Sequence, residues 1–144
     1  MMKIPNKRAR YEYSLEPGRF EAGLVLSGGE AKAIRTGHAD LSRSVARILN
    51  GEGWLINANI PFEGARKYNP TRSRKLLLHK QEITSILTKM KQRRLTLVPV
   101  SLYTTGRLVK LALALGKPKR QFEKKEAIKR KDIQRDIERE LRLK

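Results

Sequence analysis

Phe20, Ala22, Leu24 and Leu26 recur at every second position, the spacing that sets one face of a strand against a core. Upstream, Tyr11, Tyr13 and Leu15 alternate in the same way before a Pro17-Gly18 turn. Gly28-Gly29 ends the Phe20 strand, and the Ala- and Lys-rich stretch from Glu30 to Arg35 predicts a short helix. Val45 to Leu49 and Trp54 to Asn59 then flank Asn50-Gly51, a pair that tolerates the positive φ angles of a hairpin turn. Pro61 and Pro70 bracket a loop over residues 61–73. From Gln81 to Lys91 the period changes. Ile83, Ile86, Leu87 and Met90 fall at i, i+3, i+4 and i+7, one face of a helix. Leu95 to Tyr103 returns to strand, with Leu95, Leu97, Pro99, Ser101 and Tyr103 expected on one face. Proline cannot donate to a ladder, so Pro99 predicts an edge position or a bulge. After a Thr104-Thr105-Gly106 turn, Leu111, Leu113 and Leu115 alternate as the partner strand.

Two helical segments among about six short strands predict a mainly β fold, a small closed or nearly closed barrel of OB-fold or SH3-like type. The barrel is expected over residues 11–116, with a basic arm at 1–10 and a basic tail at 117–144 that opens on Lys117-Pro118-Lys119. In the tail, Phe122, Ile133, Ile137 and Leu141 fall within an arc of about 100° on a helix. Glu126 and Arg130 share that thin stripe. Three i, i+4 pairs such as Glu126 to Arg130 add about 0.2–0.5 kcal/mol each. So little burial cannot hold a helix alone, and the tail is expected to be disordered when free and helical on a partner.

Charge narrows the function. The formal net charge is +19 on 144 residues, from 33 Lys and Arg against 14 Asp and Glu. The tail holds 12 bases and 6 acids, leaving 21 and 8 for residues 1–116, so the excess belongs to the body as well. Such a body repels itself unless a polyanion, nucleic acid or anionic membrane, offsets it. No apolar run approaches the roughly 20 residues of a membrane span, and no secretory signal opens the chain. Without cysteine there are no disulfides or thiolate metal sites. These features predict a soluble cytoplasmic protein with no cofactor.

Candidate chemistry points the same way. Arg66, Lys67, Arg72, Arg74, Lys75 and Lys80 lie in one stretch without an acid, and Leu76 to Leu78 anchors its end. Cations on a fixed edge are what phosphate contacts need, so RNA contact is the reading here. Gly28-Gly29-Glu30 lacks the Lys-Ser/Thr of a P-loop and the third glycine of a dinucleotide loop, and reads as a tight connection. His38 and His79 are the only histidines and sit in no HExxH or GxSxG spacing, so no catalytic residue is named. Glu21, beside an apolar strand, suits holding an Arg or accepting from RNA amino or 2′-hydroxyl groups.

Several segments together resemble a family. They are NKRAR (Asn6 to Arg10), FEAG (Phe20 to Gly23), the spacing Gly29, Glu30, Lys32, Arg35, Gly37, PTRSRKLLLHK (Pro70 to Lys80) and LTLVPVSLY (Leu95 to Tyr103). In order, they resemble the SmpB family, the SsrA-binding proteins that partner transfer-messenger RNA (tmRNA). The resemblance implies an OB-fold barrel that grips the tRNA-like domain of tmRNA at its elbow. It implies delivery of that RNA to stalled ribosomes in trans-translation, with elongation factor Tu joining through the RNA and the protein acting as a monomer. Asn6, Glu21 and Leu77 match family positions implicated in tmRNA binding. Arg8, Lys32, Arg35, Arg72, Arg74, Lys75 and Lys80 are added on electrostatic grounds.

The resemblance also implies a tail that becomes helical in the decoding centre and empty mRNA channel, placing Lys117, Lys119, Phe122, Lys124, Lys125, Lys129, Arg130 and Arg135 against small-subunit rRNA. The tail departs from the family pattern in two places. Lys117-Pro118-Lys119 replaces a lysine-glycine-lysine linker, which fixes φ. Phe122 stands for a His or Tyr, and Lys125 for an Arg, which loses a bidentate fork. Ala31, Ala33 and Arg43 also differ from the family's common valine, serine and acid. A structural ribosomal protein or general rRNA-binding OB module is the alternative function.

Overall fold

The computed structural model describes residues 2–64, 67–120, 133–135 and 139. Its elements run β1 (Lys3–Pro5), α1 (Lys7–Glu12), β2 (Tyr13–Leu15), β3 (Phe20–Leu24), α2 (Gly28–Arg35), β4 (Val45–Leu49), β5 (Glu52–Ile56), β6 (Arg74–Leu77), α3 (Lys80–Arg93), β7 (Thr96–Thr105) and β8 (Leu108–Pro118). All eight strands join one antiparallel sheet in the order β1-β7-β8-β3-β6-β5-β4, with β2 beside the far end of β8. The other edge, β4, curls back beside β7 without ladder pairing. The architecture is the mainly β, OB-like fold that the sequence predicts.

Burial follows the period-two pattern closely. Ala22 on β3, Leu55 on β5, Leu76 on β6 and Leu111, Leu113 and Leu115 on β8 are buried together with Ile34 of α2 and Ile86 of α3. The expected hairpin is present: Asn50 (φ 52°) and Gly51 (φ 74°) turn β4 into β5. Two consecutive positive φ angles match the right-handed twist of the flanking strands.

Pro99 makes a bulge, and that bulge changes a face. The β7–β8 ladder steps from Pro99 to Ser101, leaving Val100 unpaired. Leu97 before it and Leu102 after it are both buried, so Tyr103 points outward and not inward with Leu97 as the unbroken alternation predicts. One extra residue reverses the phase of everything beyond it. The following turn is tighter than expected, with Thr105 paired to Leu108 across Gly106-Arg107.

Three further expectations are corrected. The arm at 1–10 is not a simple extension: β1 pairs with β7, and α1 continues through Tyr11 and Glu12, so β2 begins only at Tyr13. Ala9 is buried, and Asn6 anchors the turn by donating its amide N–H to the Val100 carbonyl (2.7 Å) and its Nδ2 to Pro99 (2.8 Å). The helical spacing puts Leu87 on the inner face of α3, but it is 44% exposed, and Ile86 is the buried residue of that helix. Lys117-Pro118 is no break, because β2 offers an edge and pairs Ser14 with Lys117 and Tyr13 with Pro118.

Leu111 sits mid-strand with no exposure, ringed by the other core leucines. Leu111→Ala should lower stability by about 2–5 kcal/mol, read as a lower urea midpoint with an unchanged slope.

Candidate nucleic-acid interface

The strongest electrostatic feature of the body is internal. Ser27 caps α2 by accepting from the Glu30 amide (3.3 Å), and Glu30 returns Oε1 to the Ser27 amide (2.9 Å). Glu30 is fully buried, as is Arg74, whose Nε donates to Glu30 Oε2 at 2.7 Å. Arg72 forks onto both Glu30 oxygens, with Nε 3.1 Å from Oε2 and Nη2 on Oε1. Arg74 also donates to the carbonyls of Ala58 and Pro70 (2.8 Å to the latter) and to the Tyr68 hydroxyl (3.1 Å). That hydroxyl in turn donates to the Ile60 carbonyl (2.6 Å). Burial alone would push the Glu30 carboxyl up, but the Arg72 fork, the Ser27 amide and Arg74 outweigh it and hold it down at about 2. Burial, reinforced by the Glu30 charge, pushes the Tyr68 phenol up, so it stays protonated as a donor. Gly29 completes the corner, since a Cβ there would run into the Phe62 ring.

This cluster corrects two of the expected RNA contacts. Arg74 has no exposed side chain with which to meet a phosphate; it holds the Pro70 loop and β6 onto α2. Arg72 is 39% exposed, and its fork is spent on Glu30. Arg66 lies outside the described residues.

The outer face of the sheet is where charge meets solvent. The ladders align Lys3, Tyr103, Lys110, Gly23 and Leu77 in one row across β1, β7, β8, β3 and β6. A second row aligns Arg47, Trp54 and Lys75 across β4, β5 and β6. Glu21 lies two residues before Gly23 on the same face, half-exposed, and receives the Tyr103 hydroxyl and Lys110 Nζ (3.7 Å). Lys32 and Arg35 are exposed on α2, and Arg35 Nη2 donates to the Arg107 carbonyl. Lys80 is exposed at the start of α3.

Asn6 and Arg8 sit elsewhere. They line a groove of about 700 Å³ between α1, β4 and β7, together with Arg43 and Arg47. Arg8 pairs with Glu12 at 2.9 Å, and the buried Asn6 Oδ1 has no hydrogen-bond partner among the described residues. The family resemblance groups Asn6, Glu21 and Leu77; the fold joins the last two on the sheet face and keeps Asn6 in the groove.

Comparison with known proteins decides the family. The SmpB family model ("SmpB protein") matches residues 3–143. The chain belongs to the SmpB family. The SsrA-binding protein of Halalkalibacterium halodurans is 44% identical over 142 residues, 96% of this chain and 92% of that protein. The SsrA-binding protein of Trichormus variabilis is 45% identical over 141 residues, 95% and 90% of the two chains. A solved structure described as "tmRNA-SmpB: a journey to the center of the bacterial ribosome" superimposes with a TM-score of 0.68 at 40% identity, covering 89% of this chain and 95% of that one.

For this SmpB family member, sequence reasoning missed Tyr103 and Lys110 as neighbours of Glu21, and Lys3 at the far end of the same row. One signal was present: Lys110 interrupts the apolar run from Leu108 to Leu115, and an isolated cation there marks an outward position. Tyr103 carried no such signal, because the bulge at Val100 set its direction. Of the tail residues, Lys117 is exposed at the end of β8, and Lys119 is tied back, its amide donating to Glu12 (2.7 Å) and its Nζ to Arg10 (2.7 Å). Arg135 is exposed and helical. Phe122, Lys124, Lys125, Lys129 and Arg130 lie outside the described residues.

Glu30 releases its proton at about 2 when folded against 4.5 in the free carboxyl, so unfolded chains take up the proton first on acidification. Its stabilisation is complete above pH 4.5 and is lost as pH falls towards 2. Urea midpoints should drop across that window, and Glu30→Gln should make the drop shallower. Arg74→Met, which strips a buried partner from a buried carboxylate, should cost about 3–5 kcal/mol in the same measurement.

Proposed function

We propose that this chain binds the tRNA-like domain of tmRNA and delivers it to stalled ribosomes, acting as a binding protein and not as an enzyme. The observation that carries this reading is family membership over residues 3–143 joined to a sheet face where Lys75 and Lys110 flank an exposed Leu77. Bodies are gripped through phosphates by cations and through exposed loops by apolar and acceptor groups. Lys3, Lys32, Arg35, Lys75, Lys80 and Lys110 are the candidates for phosphate, while Glu21 and Leu77 face the bases or riboses. Arg8 and Asn6 serve from the α1 groove. Arg72 and Arg74 act through the shape of the β6 edge.

The tail carries the second half of the proposal. Residues after Arg120 occupy the decoding centre and the empty mRNA channel, with Phe122, Lys124, Lys125, Lys129, Arg130 and Arg135 against small-subunit rRNA. Lys117 and Lys119 fix where the tail leaves the body, since both are tied to β2 and α1. The working unit is one copy of the chain on one RNA, with elongation factor Tu joining through that RNA. Among the described residues, no helix is long and apolar enough to cross a membrane.

Binding to the tRNA-like domain should weaken steeply with salt, and Lys75→Ala or Lys32→Ala should each reduce the log–log slope by roughly 0.7–0.9. A flat salt response would remove this face as the binding surface. Truncation should follow Arg120 and not Gly116, because residues 117–118 are strand. That shortened chain should keep RNA affinity within about twofold and lose peptide tagging on stalled ribosomes; loss of both together would contradict the division between body and tail.

A further inference from the structure

Trp54 is the only tryptophan of the chain, and the core does not use it. Strand β5 turns Gly53 and Leu55 inward, so Trp54 between them lies on the outer face, half-buried, opposite Arg47 on β4 and Lys75 on β6. Among the described residues no aromatic ring or cation packs on the indole, and no hydrogen bond uses its N–H. Val45 and Ile56 pair with each other two residues away on the same face. Val25, which donates its amide to the Lys75 carbonyl (3.0 Å), is exposed beyond Lys75. The result is an open apolar strip with a cation at each side of the ring. Arg47 is exposed and has no ion pair or hydrogen bond among the described residues, while Lys75 shares its charge with Glu52 at 3.5 Å.

We infer that Trp54 is a stacking platform for one unpaired nucleobase of the bound RNA, with Arg47 and Lys75 taking the phosphates on either side of it. The inference rests on the RNA-binding reading and deepens it, and its place is the β4–β5–β6 face, with Trp54 two strands away from β3. Every base has a π-face, so a ring on an open sheet face holds a base without reading its edge. Folded RNA supplies such bases from loops and bulges, splayed from their neighbours. Neighbouring strands lie about 4.8 Å apart, which puts the backbones of Arg47 and Lys75 about 10 Å from each other with the indole between them. Two long side chains at that separation can close on the 5′ and 3′ phosphates of a nucleotide whose base lies on the ring. A second copy of this chain fits the strip poorly, because it would bring Arg47 and Lys75 against like charges. An apolar protein surface would cover Arg47 and leave it unpaired. RNA alone supplies the flat apolar face and the flanking anions together.

The test uses the single tryptophan as its own probe. Indole emission of the full-length chain should fall on saturation with the tRNA-like domain of tmRNA, because a stacked base quenches it. Abasic sites introduced one at a time at unpaired positions of that RNA should find one that restores the emission and weakens binding about tenfold, within the range of one base–aromatic stack. Trp54→Leu should bind about tenfold more weakly than wild type, keep the wild-type salt slope and lose nothing further on that abasic RNA. Trp54→Tyr should recover most of the affinity, since the base meets a ring and not mere bulk. Arg47→Ala should instead lower the log–log salt slope by roughly 0.7–0.9. Unchanged emission at saturation, or a Trp54→Leu chain that binds as wild type does, overturns the inference. So does a Trp54→Leu loss that no abasic position matches, since Trp54 would then act only on the fold. Emission of the free chain that shifts on dilution overturns it as well, by assigning the face to a second copy. If wild type fails to bind the intact RNA, the RNA-binding reading itself is lost and this inference with it.

Discussion

A carboxylate removed entirely from water must be matched by charge and hydrogen bonds, or the fold around it fails. Taking such a group out of water costs several kcal/mol even after relaxation. Glu30 meets that demand with the Arg72 fork, Arg74 and the Ser27 amide. Because Arg74 also grips the Ala58 and Pro70 carbonyls, one charged cluster joins the start of α2, the β5–β6 connection and the first residue of β6. Strand β6 carries Leu77 into register with Gly23 on β3, so the outer face takes its alignment from an interaction on the inside. Hydrophobic burial would tolerate small slips of these elements against one another. A bidentate guanidinium–carboxylate pair does not.

The same cluster divides the cations into two kinds. Arg72 and Arg74 are part of the wall, whereas Lys3, Lys32 and Lys80 stand in solvent and Lys75 pairs with the half-exposed Glu52. A net charge of +19 therefore overstates what a partner meets on the body and understates how ordered it is. Strand β8 links the two roles of the chain. Its inner side is core leucine, its outer side holds Lys110 over Glu21, and its end is bound by β2, from which the tail departs. The described strand thus runs on to Pro118 along β2, and Lys119 is tied to α1 beyond it.

Much of this was legible beforehand. The alternation of Phe20 to Leu26 and of Leu111 to Leu115, the Asn50-Gly51 turn and the helical spacing of Ile83, Ile86 and Met90 all describe local chemistry, and the fold has them. Local signals also marked Pro99 as irregular. They could not say that skipping Val100 would turn Tyr103 outward, because phase after a bulge depends on how the partner strand pairs. Residues 7–12 were too short for a helical period to emerge, and their helix rests on Ala9 packing and on Asn6 reaching Val100.

What the chain's own order determined is the set of elements, the basic excess and the family, since period, turn chemistry and motif are carried by neighbouring residues. What only tertiary structure decided is which charges face inward. Arg74 and Lys75 are adjacent in sequence, yet consecutive strand residues point to opposite sides, and Glu30, some forty positions away, claims the first while the second pairs with the half-exposed Glu52 on the solvent side (3.5 Å). Long-range pairing of buried charge has no local trace, because its partner is chosen by packing and not by spacing.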